Sequence, residues 1–413
     1  MDERAPDLRR SLPALVASIP VAIVFFAVLG IVLTAAGPGG LRLTEPQTAT
    51  WIAVLYGLPT VVALALTLRY REPLLLTGNI FAIIFFASLG DRFEFADLAG
   101  ASIVAGCIVL AAAGFGLTAR IATWIPAPIV QGLIAGAVMP FVVGVFSSLS
   151  TTRDGASVPY ELPLMVAAAV LTYLVTPRLL GERVPAILPA FIAGVVVAAL
   201  TGQLGAFPTS IGVPRLDPMR PSFSWAAIVT VTPVLVALLM VQSTIPSLIY
   251  LASQGFRPPE RLVNVLSGVG TVAGSFLGPV AVSLALPPVL LTAGPSAGPR
   301  ELRYRSVFLP VASGVVIAAL ATTAASLATL IPETLLFTMA GLALIPPLTG
   351  AIREIVRGPL VVGPLFAFAI ALSDITVFGL GPFFWSLVLG TAISFAFERD
   401  GWRSLRAVPA PNA

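Results

Sequence analysis

The sequence predicts an all-α polytopic membrane protein whose fourteen transmembrane segments form two inverted repeats of seven. Of its 413 residues, 57% are hydrophobic and only 10% are charged, and the mean hydropathy is +1.00. Apolar stretches of membrane-spanning length follow one another along the whole chain. An odd number of spans in each half allows a shared fold only if the two halves have opposite orientations. These observations exclude an ordinary soluble domain.

The first repeat is predicted over residues 11–202 and follows a short cytoplasmic N-terminus, residues 1–10. A helix needs about 20 apolar residues to cross the hydrocarbon, and fewer where two half-spans meet inside protein. Charges, Pro or Gly mark the ends of each segment. The predicted spans are 11–36, 48–68, 73–90, 96–118, 124–149, 163–180 and 185–202.

The second repeat is predicted over residues 225–397 and is followed by a cytoplasmic tail, residues 398–413. Pro-containing starts recur in the third and tenth spans and again before the fifth and twelfth, which is the correspondence that a repeat of seven spans requires. The predicted spans are 225–254, 260–276, 278–294, 304–328, 333–352, 358–374 and 378–397.

The distribution of arginine predicts that both termini are cytoplasmic. The chain has 23 basic residues, none of them lysine, and this span count places eighteen of them on the side of the N-terminus. Cytoplasmic loops are enriched in basic residues, and a missed span would scramble the bias. The basic residues placed on the opposite side are Arg42, Arg92, Arg153, Arg215 and Arg220.

Residue types that the chain lacks exclude several functions. With one cysteine, Cys107, and no histidine, no disulfide framework, zinc site or haem site is predicted, and we expect no cofactor. A serine nucleophile would have neither a His nor a Lys partner, so we expect no enzyme. The arginines are scattered singly rather than clustered, so we expect no nucleic-acid partner.

The third and tenth spans carry the pattern of an extended segment followed by a half-helix. Thr77, Gly78 and Asn79 open the third, and Gly278, Pro279 and Ser283 open the tenth. Such breaks form binding sites in transporters, because a half-helix that starts at mid-membrane directs backbone N–H groups and its positive dipole end at a cavity. The alternative is that the two glycines only permit close helix packing.

The eighth span contains the densest polar cluster within an apolar stretch. Gln242, Ser243 and Thr244 lie near its middle and can donate and accept hydrogen bonds, as a carboxylate or a proton-coupled site requires. The alternative is hydrogen bonding between helices, with a kink at Pro246.

Aromatic and acidic residues give weaker indications. Phe81, Phe85 and Phe86 follow the first break at near-helical spacing, and Phe276 lies beside the second, so each is a candidate to stack on an aromatic ring. Every Asp and Glu falls at a predicted span end or in a loop, so the sequence indicates no proton carrier within the membrane.

Several segments resemble the benzoate/proton symporter (BenE) family. The strongest is Ala281-Val282-Ser283-Leu284-Ala285, followed by Thr292-Ala293-Gly294-Pro295 and Arg303-Tyr304. The similarity runs from about residue 69 to 397. The other segments that carry it are Gln254–Pro259, Ile125–Gly136, Ala340–Leu344 and Phe384-Trp385.

The resemblance implies the fold of uracil/xanthine permeases and sulfate-type anion transporters, with a core of spans 1–4 and 8–11 and a gate of spans 5–7 and 12–14. It also implies a homodimer in the inner membrane and proton-coupled uptake of benzoate or a similar carboxylate by movement of the core against the gate. The residues that would then contact substrate are Thr77, Gly78, Asn79, Gln242, Ser243, Thr244, Gly278, Pro279 and Ser283.

The chain departs from the family pattern at these positions. Leu76–Asn79 replaces a Ser-Thr-Pro-Gly pattern, and Pro279–Ser283 replaces Gly-His-Ala-Val-Asn. Losing a His and an Asn where a carboxylate would bind leaves the identity of the substrate open. A nucleobase permease of the same fold and an anion channel remain the alternatives.

Overall fold

The computed structural model describes residues 4–37, 40–116, 126–150, 152–153, 156–180, 186–205, 212–373, 375–377 and 382–407. The predicted span boundaries at 118, 124, 185, 374 and 378 lie outside these residues. Within the described part of the chain, the regular elements are helices and four very short strands.

The first half contains seven helices among its described residues. Two of the short strands lie in the connection after the fifth helix, and one strand precedes α3. The elements are α1 (Arg4–Ala36), α2 (Glu45–Tyr70), β1 (Leu76–Gly78), α3 (Ile80–Ala87), α4 (Phe95–Gly114), α5 (Ala127–Ser147), β2 (Thr152–Arg153), β3 (Ala156–Ser157), α6 (Glu161–Leu180) and α7 (Ile187–Leu200).

The second half is more interrupted. It contains a π-helix, Ala237–Thr244, and 3₁₀ turns at Pro295–Ala297 and Arg300–Val307. The remaining elements are α8 (Trp225–Val236), α9 (Ile245–Ser253), α10 (Glu260–Gly274), β4 (Val282–Leu284), α11 (Leu286–Ala293), α12 (Phe308–Ala319), α13 (Ala321–Leu330), α14 (Glu333–Arg357), α15 (Val362–Leu372), α16 (Pro382–Phe397) and α17 (Arg399–Ala407).

Each of the fourteen predicted spans contains helix in the described residues. Among the residues that the structure describes, eight helical stretches are long and apolar enough to cross a membrane, and α7, α15 and α16 are shorter apolar helices. The multi-pass character is therefore clear, whereas the count of fourteen crossings stays a prediction. Two spans differ from the expected single helix: the π-helix interrupts the eighth, and the eleventh begins in the Arg300–Val307 turn and breaks between α12 and α13.

Local sequence explains where α2 begins and ends, just before the first broken segment. Thr44 is its N-cap: the Thr44 hydroxyl accepts from the Gln47 N–H, and the Gln47 side chain accepts from the Thr44 N–H, which is a capping box. Arg71 closes the other end in the left-handed conformation, φ 53°, and the chain then runs into β1.

Helix packing occurs in matched pairs. α2 packs along α12, and α4 packs along α10; α6 packs on α7, and α15 packs on α16. In each case the second pair follows from the first by exchanging each span for its counterpart seven spans away. Two copies of one fold would produce this pattern.

Residues predicted on the same side of the membrane contact each other. On the predicted outer side, Arg42 forms an exposed salt bridge with Asp91, at 2.5 Å. On the predicted cytoplasmic side, the Glu72 carboxylate accepts the Arg257 N–H at 2.7 Å. The span count is consistent with both contacts.

Candidate functional site

The two broken segments meet as a pair of antiparallel strands. In β1 and β4, Leu76 lies opposite Leu284, Thr77 opposite Ser283, and Gly78 opposite Val282. The Asn79 N–H extends the pairing by donating to the Ala281 carbonyl at 2.8 Å. Non-helical backbone survives at membrane depth only where such bonds satisfy it. The predicted extended segment followed by a short helix is thus present in both spans.

Asn79 is the N-cap of α3 and joins three elements. Its Oδ1 accepts the N–H groups of Phe81 and Ala82, at 3.0 and 3.2 Å. Its Nδ2 donates to the Leu238 carbonyl at 3.3 Å and to the Ser283 hydroxyl at 3.1 Å. The side chain is 3% exposed. Two of the N–H groups that the sequence analysis offers to an anion are therefore bonded within the protein.

The second half-helix also offers fewer donors than expected. The N-cap of α11 is Ala285, which makes no side-chain cap, and the first turn contains Pro287 and Pro288, which have no N–H. The expectation of free amide donors at the start of both half-helices is corrected accordingly. The positive end of each helix dipole remains in place.

The polar stretch of the eighth span, Gln242 to Thr244, lies on the π-helix. Widening the helix replaces i→i−4 bonds by i→i−5 bonds, as in the Ile245 N–H to Met240 carbonyl contact. Pro246 follows directly; it has no N–H for the Gln242 carbonyl, and its ring crowds that carbonyl. The predicted disturbance at Pro246 is thus a π-helix, a feature frequent at functional sites.

Serine hydroxyls connect the π-helix to β4. Ser243 Oγ donates to the Leu284 carbonyl at 3.0 Å and lies 3.0 Å from Ser283 Oγ. Ser247 Oγ lies 2.9 Å from the same carbonyl and 2.7 Å from the Ser243 carbonyl. Asn79, Ser243, Ser247 and Ser283 therefore form one buried network, which we call the polar cluster.

Gln242 differs from this cluster in its hydrogen bonding. Its side chain is 8% exposed, and its buried Oε1 has no hydrogen-bond partner. Thr244, two positions further on, is fully buried. A buried polar atom without a partner costs free energy and is a candidate ligand position.

A small apolar cavity lies beside the polar cluster. Phe81, Phe85 and Leu238 contribute one wall, and residues of α5 form the other. Its volume is about 10 Å³, room for about one water molecule. The α5 residues are Leu133, Ile134, Ala137 and Val138.

The remaining predicted site residues lie outside the polar cluster. Thr77 and Gly78 are half-buried in β1, and a Cβ on Gly78 would lie 3.1 Å from the Leu55 carbonyl oxygen. Gly278, with φ 141°, packs against Trp51 and Phe95. The Pro279 carbonyl accepts the Trp51 indole N–H at 2.8 Å.

The aromatic candidates differ in whether they line the cavity. Phe81 and Phe85 line the cavity, whereas Phe86 is buried and is not among its lining residues. Phe276 is 48% exposed at the protein surface. The apolar α5 residues of the cavity were missed by sequence reasoning because nothing distinguishes them from other apolar residues in a span.

Glu72 is the one buried acidic residue among those that the structure describes. Its Oε1 accepts the Arg257 N–H, and its Oε2 is buried without a partner. Burial raises the pKa of this carboxyl group, while the Arg257 hydrogen bond and the nearby Arg300 guanidinium act in the opposite direction. It precedes β1 and lies outside the polar cluster.

Solved structures with the same fold are membrane transporters. The chain matches the transmembrane domain of a cyanobacterium bicarbonate transporter, BicA, with a TM-score of 0.54 and 15% identity, covering 94% of this chain and 97% of that one. It matches murine Solute Carrier 26 family member A9, an anion transporter in the inward-facing state, with a TM-score of 0.60 and 10% identity, covering 93% and 68%. The protein is therefore a multi-pass, mostly helical membrane protein of a transporter fold.

The family follows from the sequence match. The BenE family model, described as benzoate membrane transport protein, matches residues 9–396, so this chain belongs to that family of transport proteins and the predicted resemblance is confirmed. The benzoate membrane transport protein of Acinetobacter baylyi (strain ATCC 33305 / BD413 / ADP1) is 22% identical over 84% of this chain and 85% of its own length. The inner membrane protein YdcO of Escherichia coli (strain K12) is 24% identical over 84% and 86%.

Proposed function

We propose that this protein is a secondary transporter of the inner membrane that takes up benzoate or a similar small carboxylate together with a proton. The observation that carries the proposal is the buried polar cluster where β1 meets β4, adjoining an apolar cavity. An apolar pocket with a few convergent polar groups suits a ligand with an apolar body and one polar head.

Architecture supports transport by alternating access. The matched helix pairs favour fourteen spans in seven-plus-seven inverted repeats, with both termini cytoplasmic, as the arginine bias indicates. In the proposed division, α3 and the π-helix belong to the core and α5 belongs to the gate. The cavity then lies between the core and the gate, where movement of one against the other would open it to either side.

The size of the cavity favours a transporter over a channel. Benzoate has nine heavy atoms, whereas a volume of about 10 Å³ holds about one water molecule. The walls of the cavity must therefore separate for substrate to enter. Alternating access involves such a conformational change in every transport cycle.

A nucleobase permease is less well supported. Such a protein needs acceptors for the N–H edges of the base, which a carboxylate supplies best. The described elements that carry the polar cluster, α3, the π-helix, α9 and β4, contain no Asp or Glu.

The substrate-contact set of the proposal is the one predicted from sequence, with different weights. Gln242 carries the most weight as a contact, because its Oε1 has no partner in the protein. Asn79, Ser243 and Ser283 are joined by hydrogen bonds and hold the breaks together beside it. The others support the break or lie nearby. We further propose a homodimer that requires no cofactor.

Uptake by proteoliposomes tests the proposal. Radiolabelled benzoate should accumulate when an inward proton gradient is imposed, and Gln242→Leu should reduce the initial rate at least about tenfold, which corresponds to the loss of about 1.4 kcal/mol of interaction. Gln203→Leu, the same substitution beyond α7 and outside the cluster, is the matched control and should keep the wild-type rate.

Each part of the proposal can fail separately. Uptake of another carboxylate but not of benzoate would reject the substrate, and uptake that ignores the gradient would reject proton coupling. Unitary currents in a planar bilayer would establish a channel instead. Equal rates for Gln242→Leu and Gln203→Leu would show that the site lies elsewhere.

A further inference from the structure

The side chains of the polar cluster use their hydrogen-bonding groups within the protein and so act as a scaffold. Asn79 uses both N–H bonds of its amide and accepts two backbone N–H groups. Ser243 donates to Leu284, so the Ser243–Ser283 contact has Ser283 as donor, and Ser283 accepts from Asn79. Since these three side chains are satisfied by one another and by backbone groups, they hold β1, β4 and the π-helix together.

Gln242 is the side chain next to this scaffold that retains an open hydrogen-bonding position. Its Oε1 is buried and accepts nothing from the protein. An acceptor requires a donor, and a carboxylate anion has none. An anion placed here would leave Oε1 unpaired next to a negatively charged oxygen, which costs free energy in a site of low dielectric.

The described elements that pack most extensively around Gln242 carry no charged side chain that could balance an anion. The elements that pack most extensively on the π-helix are α5, α8, α9 and β4, and none contains Asp, Glu, Lys, Arg or His. Tyr250 of α9 is the one titratable residue in these four elements, and its hydroxyl lies 3.5 Å from the Leu290 carbonyl. Glu72, the buried acid, is held elsewhere by the Arg257 N–H.

We propose that the transported species is the undissociated acid, so that the proton travels on the substrate, and that the Gln242 amide pairs with its carboxyl group. Oε1 accepts the acid O–H, and Nε2 donates to the acid carbonyl. The pairing works in either flipped orientation of the amide, because an amide presents one donor side and one acceptor side. The acid gains its proton from the external solution and loses it to the cytoplasm, which gives one proton per substrate.

This inference rests on the proposed function and deepens it. It assigns proton coupling to the carboxyl group of the substrate rather than to a side chain of the protein. It also restricts the substrates to weak acids with an apolar body, since the proton must be bound at working pH and the cavity beside the cluster is lined by apolar residues.

Ligand binding by the purified full-length protein across pH 5 to 8 tests the inference, with benzoate and benzamide as probes. Benzamide has the shape of benzoic acid, donates and accepts at the same end, and does not titrate in this range. The apparent Kd for total benzoate should rise about tenfold per pH unit, because the protonated fraction falls tenfold per unit above the pKa of the acid. Benzamide should compete for the site with a Kd that changes less than about twofold.

Two variants separate the inference from its rivals. Gln242→Leu should weaken benzamide and benzoate alike, at least about tenfold, and Glu72→Gln should leave the pH dependence of benzoate binding as in wild type. Since the wild-type pH series needs no variant, a folding defect in either one does not decide the question.

The contrary results differ for the two proposals. A benzoate Kd that is flat from pH 5 to 8, or a pH dependence that disappears in Glu72→Gln, would overturn the undissociated-acid inference and leave benzoate transport standing. Absence of binding by either probe at every pH would overturn the proposed substrate together with the inference.

Discussion

The two broken segments have the same layout and different chemistry. Each consists of a three-residue strand followed by an eight-residue helix, and the strands pair with each other. The first helix, α3, is mostly buried and has Asn79 as a side-chain cap. The second helix, α11, begins after Ala285, which makes no side-chain cap, and has Pro287 and Pro288 in its first turn.

This difference shows that two segments with the same layout can be stabilised by different means. In the first segment a side chain satisfies the N–H groups that a helix start leaves free. In the second, proline removes N–H groups and fixes φ near the helical value. The hydrogen-bonding position left open therefore belongs to neither half-helix but to Gln242 of the neighbouring π-helix.

The largest expected effect comes from the glycines at the two breaks. Gly278→Ala should destabilise the protein by about 3 kcal/mol, because φ 141° disfavours any side chain and a Cβ would lie 2.8 Å from both Trp51 and Phe95. Gly78→Ala is the matched control and should cost about 1 kcal/mol or less, since its φ is ordinary and its nearest contact is 3.1 Å. Thermal unfolding in detergent measures both, and equal losses would contradict the structure.

Replacement of Asn79 tests the capped segment. Asn79→Ala should cost about 2 to 3 kcal/mol, because it leaves two helix N–H groups and the Ser283 hydroxyl without their partner. Asn79→Asp keeps the acceptor for Phe81 and Ala82 but loses both donated bonds, so it should be less damaging than Ala. Greater damage from Asp in thermal unfolding would show that burying a carboxylate beside the Leu238 carbonyl costs more than the retained cap contributes.

Glu72 precedes the first segment in the chain and is buried, which predicts that stability depends on pH. The raised pKa means that the folded state binds the proton more tightly than the unfolded chain does. Wild type should therefore lose stability relative to Glu72→Gln as pH rises from about 4.3, the ordinary value for Glu, through the raised value. The melting temperature of wild type minus that of Glu72→Gln should therefore fall between pH 4 and pH 8. A difference that rises with pH would contradict the assignment.

The smallest effect is expected from the prolines of the second segment. Pro287→Ala should lower stability by less than about 1 kcal/mol, because the first turn of a helix tolerates either residue. The main effect is that the unfolded chain gains conformational entropy when the proline is removed. A much larger loss in thermal unfolding would show that Pro287 has a packing role beyond helix initiation.

Much of the site was predictable from local sequence. Pro, Gly and small polar residues at the start of the third and tenth spans predicted both breaks, and both contain the predicted extended piece and short helix. The polar stretch around Gln242 predicted the position of the cluster. Family membership followed from short motifs and is confirmed by the match over residues 9–396.

The sequence by itself determined the membrane character, the position of the breaks and the candidate residues for binding a polar head, since composition and local backbone preference act within a few neighbouring residues. Only the tertiary structure decided which of those groups stay open. Asn79 and Ser283, distant in sequence, meet because β1 pairs with β4 in one register, while Gly278 and Pro279 pack against Trp51. Hydrogen-bond partners across such distances are fixed by packing of the whole fold, which no local pattern encodes.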